Sequence, residues 1–167
     1  MEITVRRIAD GEGALLRDVR LRALHDSPTA FASTFAAESA ENDAHWADRA
    51  LQGSTGHDTA TFLAVRAEDV VGLVVGYHPG PSRRAIELVS MWTSRHARRN
   101  GVARQLVATL VSWAGEAAAD TVELWVTEGN AVAISLYRAA GFELTGDRGP
   151  LPSDPSLNEL RMNKRLR

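Results

Sequence analysis

Residues 87–104 read Glu-Leu-Val-Ser-Met-Trp-Thr-Ser-Arg-His-Ala-Arg-Arg-Asn-Gly-Val-Ala-Arg, and this stretch decides the fold. An apolar, strand-like run ends at Trp92, a basic turn follows around Gly101, and an apolar-periodic helix then begins. This order leaves backbone N–H groups free at the helix N-terminus, where the helix dipole also favours an anion. No acid stands between Glu87 and Glu116, whereas five bases crowd the turn, namely Arg95, His96, Arg98, Arg99 and Arg104. The stretch therefore predicts a phosphate or pyrophosphate site, and a solvated basic loop is the alternative.

Known phosphate motifs narrow the type of site. The chain has neither the G-x-x-x-x-G-K-[ST] pattern of P-loop hydrolases nor the G-x-G-x-x-G pattern of dinucleotide-binding folds. Its turn, Arg98-x-x-Gly101-x-Ala103, resembles the acyl-CoA pyrophosphate loop of the GNAT acetyltransferase superfamily, Gln/Arg-x-x-Gly-x-Gly/Ala. Ala103 replaces the commoner glycine, so the turn is expected to be helical by that residue, because alanine is strained at positive φ.

A second block supports the same resemblance. Residues 121–126 are a β-rich run, Asn130 is a predicted N-cap, and Gly141 is a predicted C′ residue after a short helix. The order of strand, asparagine, short helix with Tyr137, and Gly-Phe resembles the second conserved block of the superfamily. The two blocks stand in the expected order and at the expected distance, and the resemblance covers about residues 60–145. The chain is thus identified as a single-domain member of the GNAT superfamily.

Composition agrees with one globular domain, predicted over residues 1–167. Apolar residues make up 44% of the chain, charged residues 24%, and the formal net charge is −2, which disfavours a nucleic-acid partner. The chain has no cysteine, which excludes disulfides and a thiolate nucleophile, and its five scattered histidines predict no metal site. No apolar run is long enough for a membrane span and the N-terminus lacks a secretory signal, so we expect no membrane partner and a cytoplasmic protein.

The hydrophobic periodicity predicts alternating strands and helices. Asp10 is predicted to cap the first helix, and Phe31, Phe35 and Trp46 to be buried. Residues 149–156, which are rich in proline, are predicted to be a loop. Strands are predicted at 3–8, 61–66, 70–77, 85–92, 122–126, 142–144 and 159–164. Helices are predicted at 10–25, 29–51 (in two pieces), 102–117 and 131–140.

The resemblance implies an α/β (α+β) fold of the GNAT type. A mixed, mostly antiparallel sheet of six to seven strands is flanked by about four helices. The sheet splays between the strands 85–92 and 122–126, and the pantetheine arm of acetyl-CoA, the co-substrate, lies in the gap.

Two residues are candidates for the chemistry. Glu87 lies in an otherwise apolar strand and matches the glutamate that some GNAT enzymes use as general base for the amine, directly or through water. Its alternative is an ion pair with Arg83 or Arg84. Tyr137 matches the tyrosine that donates a proton to the departing CoA thiolate, and its alternative is a core aromatic.

The resemblance also implies the cofactor contacts. The amide near Met91 would polarise the thioester carbonyl, and Thr93 would pair with pantetheine, both through the backbone. Strand alternation puts Glu87, Val89, Met91 and Thr93 on one face of the strand, and Leu88, Ser90 and Trp92 on the other. The predicted cofactor-binding residues are Met91, Trp92, Thr93, Arg98, Arg99, Asn100, Gly101, Val102, Ala103, Arg104, Asn130, Tyr137 and Arg138.

The acceptor stays open between a small-molecule amine and a protein N-terminus. The resemblance places its pocket at about 26–50 and 146–158. The first region carries four acids, which mildly favour a cationic amine or form a solvated helix face: Glu38, Glu41, Asp43 and Asp48. The predicted activity is acetyl transfer from acetyl-CoA to a primary amine by direct attack. A catalytically silent acyl-CoA sensor is the alternative, and the oligomeric state, including a homodimer, stays open.

Overall fold

The computed structural model describes residues 2–167, so only Met1 of the predicted domain 1–167 lies outside the described residues. The strands are β1 (Ile3–Arg7), β2 (Thr59–Arg66), β3 (Asp69–Tyr77), β4 (Ala85–Thr93), β5 (Thr121–Thr127), β6 (Glu143–Leu151) and β7 (Asp154–Arg165). The helices are α1 (Gly13–Asp26), α2 (Phe35–Ser39), α3 (Asp43–Ser54), α4 (Val102–Glu116) and α5 (Ala131–Ala139). Within residues 2–167, no helix combines the length and the apolar character that crossing a membrane requires.

The strands form one seven-stranded sheet in the order β1-β2-β3-β4-β5-β7-β6. Every neighbouring pair is antiparallel except β4 and β5, which are parallel. That parallel pairing covers only Ala85–Thr121, Ile86–Val122 and Glu87–Glu123, and beyond it the two strands separate. The predicted mixed, mostly antiparallel sheet with a splay between these strands is therefore confirmed.

A β-bulge in β4 sets which side chains face which helices. Val75 of β3 pairs with Val89 and Leu73 pairs with Trp92, so β4 has one residue more than β3 over this interval. Ser90 takes up the extra residue with a φ of 59°. A bulge interrupts the alternation of side chains, so the faces assigned from sequence beyond Ser90 are wrong.

The two faces of the sheet carry separate hydrophobic clusters. On the first, called the α4 face, Leu88 of β4 packs in one cluster with Leu106 and Leu110 of α4 and with residues of α5. On the second, called the α1 face, Val89 and Trp92 pack in a cluster with residues of α1 and α3. Each side chain at the splay thus belongs to one of two distinct environments.

The structure differs from the sequence predictions in four places. The α-helical residues of the segment predicted at 29–51 begin only at Phe35, and α3 continues to Ser54. Helix α1 begins at Gly13 and its N-cap residue is Glu12, so the predicted cap at Asp10 is wrong. The turn before the helix is held by the Glu12 carboxylate, which accepts the Ala9 N–H at 2.8 Å and two hydrogen bonds from Arg6. Phe31 and Trp46 are buried as predicted, but Phe35 is 45% exposed. The predicted loop 149–156 belongs largely to the β6–β7 hairpin. Its Pro150 is tolerated because β6 is an edge strand, where a missing N–H leaves no partner unsatisfied.

Gly13 provides a test of the packing between α1 and α3. A Cβ at this residue would lie 2.7 Å from the Ala47 backbone nitrogen and 2.9 Å from the Trp46 carbonyl carbon. Because backbone atoms cannot move aside cheaply, we expect Gly13→Ala to lower the free energy of unfolding by about 1–3 kcal/mol in urea denaturation.

Gly115, near the end of α4, is the matched control, since its Cβ would meet nothing within 4 Å. We expect Gly115→Ala to raise the free energy of unfolding by about 0.5–1 kcal/mol, because alanine loses less conformational entropy in a helix. Equal stability of the Gly13→Ala variant and the wild type would show that the close approach of the two helices contributes nothing.

Candidate functional site

The N-terminus of α4 presents uncapped backbone donors beside the splay. Gly101 is the N-cap residue with a φ of 77°, and no side chain accepts a hydrogen bond from the first turn. The N–H groups of Val102, Ala103 and Arg104 therefore begin the helix without a side-chain cap. Ala103 lies inside the helix, so its side chain is compatible with the turn, as the sequence requires. A Cβ at Gly101 would meet nothing within 4 Å, which leaves room for a ligand against the backbone.

An acid from α1 reaches the basic turn, which contains no acid of its own. The Asp26 carboxylate accepts hydrogen bonds from Arg95 Nε at 2.7 Å, from Arg98 Nη2 at 2.6 Å and from Trp92 Nε1 at 3.1 Å. Burial alone would raise the pKa of Asp26, but these bonds and the charge of Arg98 lower it. Arg98 Nε also donates to the Thr93 carbonyl at 3.0 Å. These contacts hold the turn against the end of α1.

The remaining predicted phosphate ligands stay accessible. Arg99, Asn100 and Arg104 are exposed, and neither arginine has an ion-pair partner among residues 2–167. Arg98 by contrast is committed to Asp26 and to Thr93. The cationic groups available to an anion are thus Arg99 and Arg104, together with the α4 N–H groups.

The bulge distributes the predicted β4 residues between the two faces. Met91 packs partly buried on the α4 face. Thr93 lies opposite Gly72, where a Cβ would contact Val102 and Leu106 of α4. Thr93 Oγ1 is buried and has no hydrogen-bond partner among residues 2–167. Trp92 instead packs on the α1 face, so a cofactor contact by its side chain is not compatible with a ligand on the α4 face.

Helix α5 holds Tyr137 on the α4 face between two well-formed ends. Asn130 Oδ1 caps the helix by accepting the Ala133 N–H at 3.2 Å. At the other end, the Phe142 N–H donates to the Tyr137 carbonyl and the Gly141 N–H to the Arg138 carbonyl, which is a Schellman motif with Gly141 at a φ of 94°. The predicted cap and C′ residues are therefore confirmed.

The Tyr137 ring is buried and packs edge-on against Phe142 with centroids 5.8 Å apart. Burial raises the pKa of the Tyr137 hydroxyl above its ordinary value, so the group stays protonated at neutral pH. Arg138, the next residue, is exposed on the outside of α5. Tyr137 thus packs in the core of the α4 face and carries a protonated hydroxyl, so a core role does not exclude a catalytic one.

A cavity of about 590 Å³ opens on the α1 face. Its walls come from α1 to α3, from the end of β3, from β4 and β5, and from the β6–β7 hairpin. Thr127 Oγ1 donates to the Thr29 carbonyl at 2.6 Å and Ser153 Oγ to the Phe31 carbonyl at 2.5 Å, which fastens the segment after α1 across the sheet. The cavity draws on both regions, 26–50 and 146–158, that the resemblance predicts for the acceptor.

Glu87 lies in this cavity, but it does not form the ion pair with Arg83 or Arg84 that was the alternative to a catalytic role. Arg161 of β7 donates to its carboxylate from Nη1 at 3.2 Å and also binds Glu123 of β5. Arg83 and Arg84 pair elsewhere, with Asp58 and Asp120. The Arg161 guanidinium lies 5.1 Å from the centroid of Trp125, a further wall residue.

The charge of Glu87 affects the pKa values of two other groups on the cavity wall. Burial, and then the charge of Glu87, raises the pKa of Tyr77 and likewise the pKa of Glu159. Glu159 has no ion-pair partner among residues 2–167. The strand side of the cavity therefore carries more negative charge than its single arginine neutralises.

The helix side of the cavity holds a buried cluster of opposite sign. Glu38 is one of the four acids expected either to favour a cationic amine or to form a solvated helix face. It is instead buried and accepts from Arg20 at 2.8 Å and from Arg49 at 3.2 Å. Burial alone would raise the pKa of Glu38, but the bonds and charges of the two arginines lower it. Burial, partly offset by Glu38, lowers the pKa of Arg49. The other three acids of that region are exposed: Glu41, Asp43 and Asp48.

Sequence reasoning missed several of these residues. The alternation of Glu159, Arg161 and Asn163 with Leu160 and Met162 is a signal that one face of β7 is polar, and it could have pointed to the cavity. Asp26 gave no local signal, since the tryptophan and the arginines that it binds lie 66 to 72 residues away.

Comparisons with known proteins agree with this geometry. The model of the acetyltransferase (GNAT) family matches residues 21–142. No curated protein matches the chain at a significant level. A GNAT acetyltransferase from Streptococcus pneumoniae superposes with a TM-score of 0.83 and 19% identity, covering 99% of this chain and 100% of its own.

Two further solved structures share the fold. A ribosomal-protein-alanine N-acetyltransferase from Brucella melitensis has a TM-score of 0.76 and 22% identity, over 98% of this chain and 99% of its own. The protein yncA from Salmonella typhimurium, solved with its cofactor acetyl-CoA, has a TM-score of 0.75 and 17% identity, over 100% of this chain and 95% of its own. At these identities the likeness shows the fold, and the family model spans most of the chain. The chain therefore belongs to the GNAT family of acetyltransferases.

Proposed function

We propose that this protein transfers an acetyl group from acetyl-CoA to a primary amine by direct attack of the amine on the thioester. One observation carries the proposal. The splay between β4 and β5 is a gap between the uncapped α4 N-terminus and Tyr137 on one face of the sheet and the carboxylate-lined cavity on the other. Two substrates that enter from opposite faces would meet in this gap.

Acetyl-CoA supplies the acetyl group as an activated thioester. Its pyrophosphate would be held by the N–H groups of Gly101, Val102, Ala103 and Arg104, assisted by the exposed Arg99. The free Cβ position at Gly101 and the unpartnered Thr93 Oγ1 fit a polar ligand along this path. Arg98 acts through the loop that it fastens to Asp26 and Thr93. Contacts by Asn100, Asn130 and Arg138 remain part of the proposal.

The chain's own groups then serve the transfer. The backbone amide near Met91, at the bulge, would meet the negative charge that develops on the thioester oxygen. As the carbon–sulfur bond breaks, the Tyr137 hydroxyl gives its proton to the departing thiolate. At the cavity, Glu87 takes the proton that the ammonium group must lose before its nitrogen can attack. Since Arg161 occupies the Glu87 carboxylate, this proton passes through a water molecule.

A catalytically silent acyl-CoA sensor is the second candidate, because the turn and β4 alone suffice to bind the cofactor. The buried Tyr137 and the charged cavity favour the enzyme, since a sensor needs neither. Release of the CoA thiol in the presence of a panel of amines separates the two functions.

Acetyl-CoA is expected to raise the melting temperature by about 5–10 °C at a hundredfold excess over Kd, because it binds only the folded chain. Thermal denaturation with ATP and NAD as control ligands checks this. Stabilisation by either control ligand without stabilisation by acetyl-CoA contradicts the proposed cofactor.

Gly101→Val is expected to weaken acetyl-CoA binding tenfold or more, because the branched side chain would stand where the phosphates approach the backbone. Gly56→Val is the matched control, since Gly56 has nearly the same φ, 76°, and its Cβ also meets nothing within 4 Å. Both variants share the backbone strain, so a calorimetric Kd that rises equally in both would place the anion site elsewhere.

Tyr137→Phe is expected to lower kcat about 10²- to 10⁴-fold and to leave the Kd of acetyl-CoA near the wild-type value, because it removes a proton donor and little volume. Steady-state kinetics and calorimetry measure the two quantities. Full turnover by the variant would assign Tyr137 to the core alone.

Glu87→Gln is expected to reduce the rate most at low pH, where the amine is mostly protonated and needs a base. Glu123→Gln is the matched control, because it removes the other carboxylate bound to Arg161 but is not a wall residue of the cavity. The pH profiles of both variants decide the role. If Glu87→Gln and Glu123→Gln lose rate equally at every pH, Glu87 acts only through its ion pair with Arg161.

A further inference from the structure

The cavity on the α1 face has opposite charges at its two ends. Its helix end consists of Arg20, Glu38 and Arg49, where two buried or half-buried guanidinium groups share one buried carboxylate. Glu41 stands nearby, but it is 47% exposed, lies 3.6 Å from His45, and is screened by solvent. The interior of the helix end therefore has an excess positive charge.

The strand end consists of Glu87 and Glu159. Glu87 shares Arg161 with Glu123, and Glu159 has no ion-pair partner among residues 2–167. Three carboxylates thus stand around one guanidinium. Register places Glu159 opposite Thr127, at the last residue of β5, where the splay is widest. The excess negative charge consequently lies beside the part of the gap where β4 and β5 are no longer paired.

An independent observation at the helix end indicates a missing acceptor. Arg20 is only 6% exposed, and its Nη1 is buried without a hydrogen-bond partner among residues 2–167. Its other two nitrogens donate to Glu38, and its guanidinium packs 4.7 Å from the Phe31 ring. A buried, unpaired guanidinium N–H is costly, and the planar group matches the geometry of a carboxylate.

We propose that the acceptor is a zwitterion, a free amino acid, whose carboxylate binds Arg20 and Arg49 and whose ammonium group lies between Glu87 and Glu159. Phe31, Trp125 and Leu151 also line the cavity, so the amino acid carries an apolar side chain. A protein N-terminus does not fit, because its first carboxyl group is an uncharged amide. The identity of the reaction rests on the proposed function, whereas the binding of the zwitterion does not.

The experiment compares four amino acids, alanine, leucine, methionine and phenylalanine, with their amides, and includes 2-phenylethylamine. For the acids that fit the cavity best, we expect kcat/KM to be about 10- to 100-fold higher than for the corresponding amides, mainly through a lower KM. The amide loses the charged hydrogen bonds that the carboxylate accepts from the arginines. These compounds also separate charge recognition from amine basicity. The amine of each amide is less basic than that of its acid, whereas 2-phenylethylamine is more basic than phenylalanine and has no carboxylate.

Variants locate the recognition. Arg49→Gln is expected to reduce the preference for acid over amide about tenfold, and Arg49→Lys to restore part of it, because lysine keeps the charge but not the planar fork. Arg83→Gln, on the surface with Asp58, is the control and is expected to keep the preference. Glu159→Gln is expected to raise KM for acids and amides alike, since both carry the ammonium group.

Calorimetric titration into the protein saturated with CoA gives a readout that needs no turnover. Tighter binding of the acids than of the amides, without acetyl transfer to any amine, would support the zwitterion site and overturn the proposed function. Acetyl transfer with no preference in any of the four pairs would overturn the zwitterion site and leave the proposed function intact. Absence of binding of all four acids would also overturn the site.

Discussion

The site depends on a parallel pair of strands that stay together for only three residue pairs. Up to Glu87 and Glu123, β4 and β5 share the hydrogen bonds of an ordinary sheet, and after them each strand pairs only with its outer neighbour. Unpaired backbone groups inside a protein are costly, so such a gap persists only where a ligand or water can satisfy them. The outer pairings, β3 with β4 and β5 with β7, hold the two sides of the gap apart.

This gap also explains why the groups of the proposed reaction are divided between two faces. Tyr137 belongs to the α4 face, and the cavity with Glu87 belongs to the α1 face. A proton donor and carboxylates placed side by side would bond to each other, whereas the sheet keeps them apart. Helix α1 contacts both parts of the site. Its last residue, Asp26, binds Arg98 of the basic turn, and its Arg20 lines the cavity.

The sequence was sufficient where local rules govern the structure. The order of strand, turn and helix around Gly101, the cap at Asn130 and the αL residue at Gly141 depend on neighbouring residues, and the structure has them as predicted. Ion pairs such as Arg161 with Glu87, 74 residues apart, depend on which strands become neighbours, and no local pattern reports this. The β6–β7 hairpin was missed for a related reason, since proline indicates a loop unless the strand lies at an edge.

The bulge at Ser90 has a consequence for any comparison of this chain with its relatives. Side chains along a strand alternate between two faces, so one inserted residue moves every later side chain to the opposite face. Residues 85–89 and 91–93 therefore have to be aligned as two separate blocks, with any gap placed at Ser90. If a relative lacks the bulge, an alignment that runs through this point without the gap equates Trp92, on the α1 face, with a residue on the opposite face.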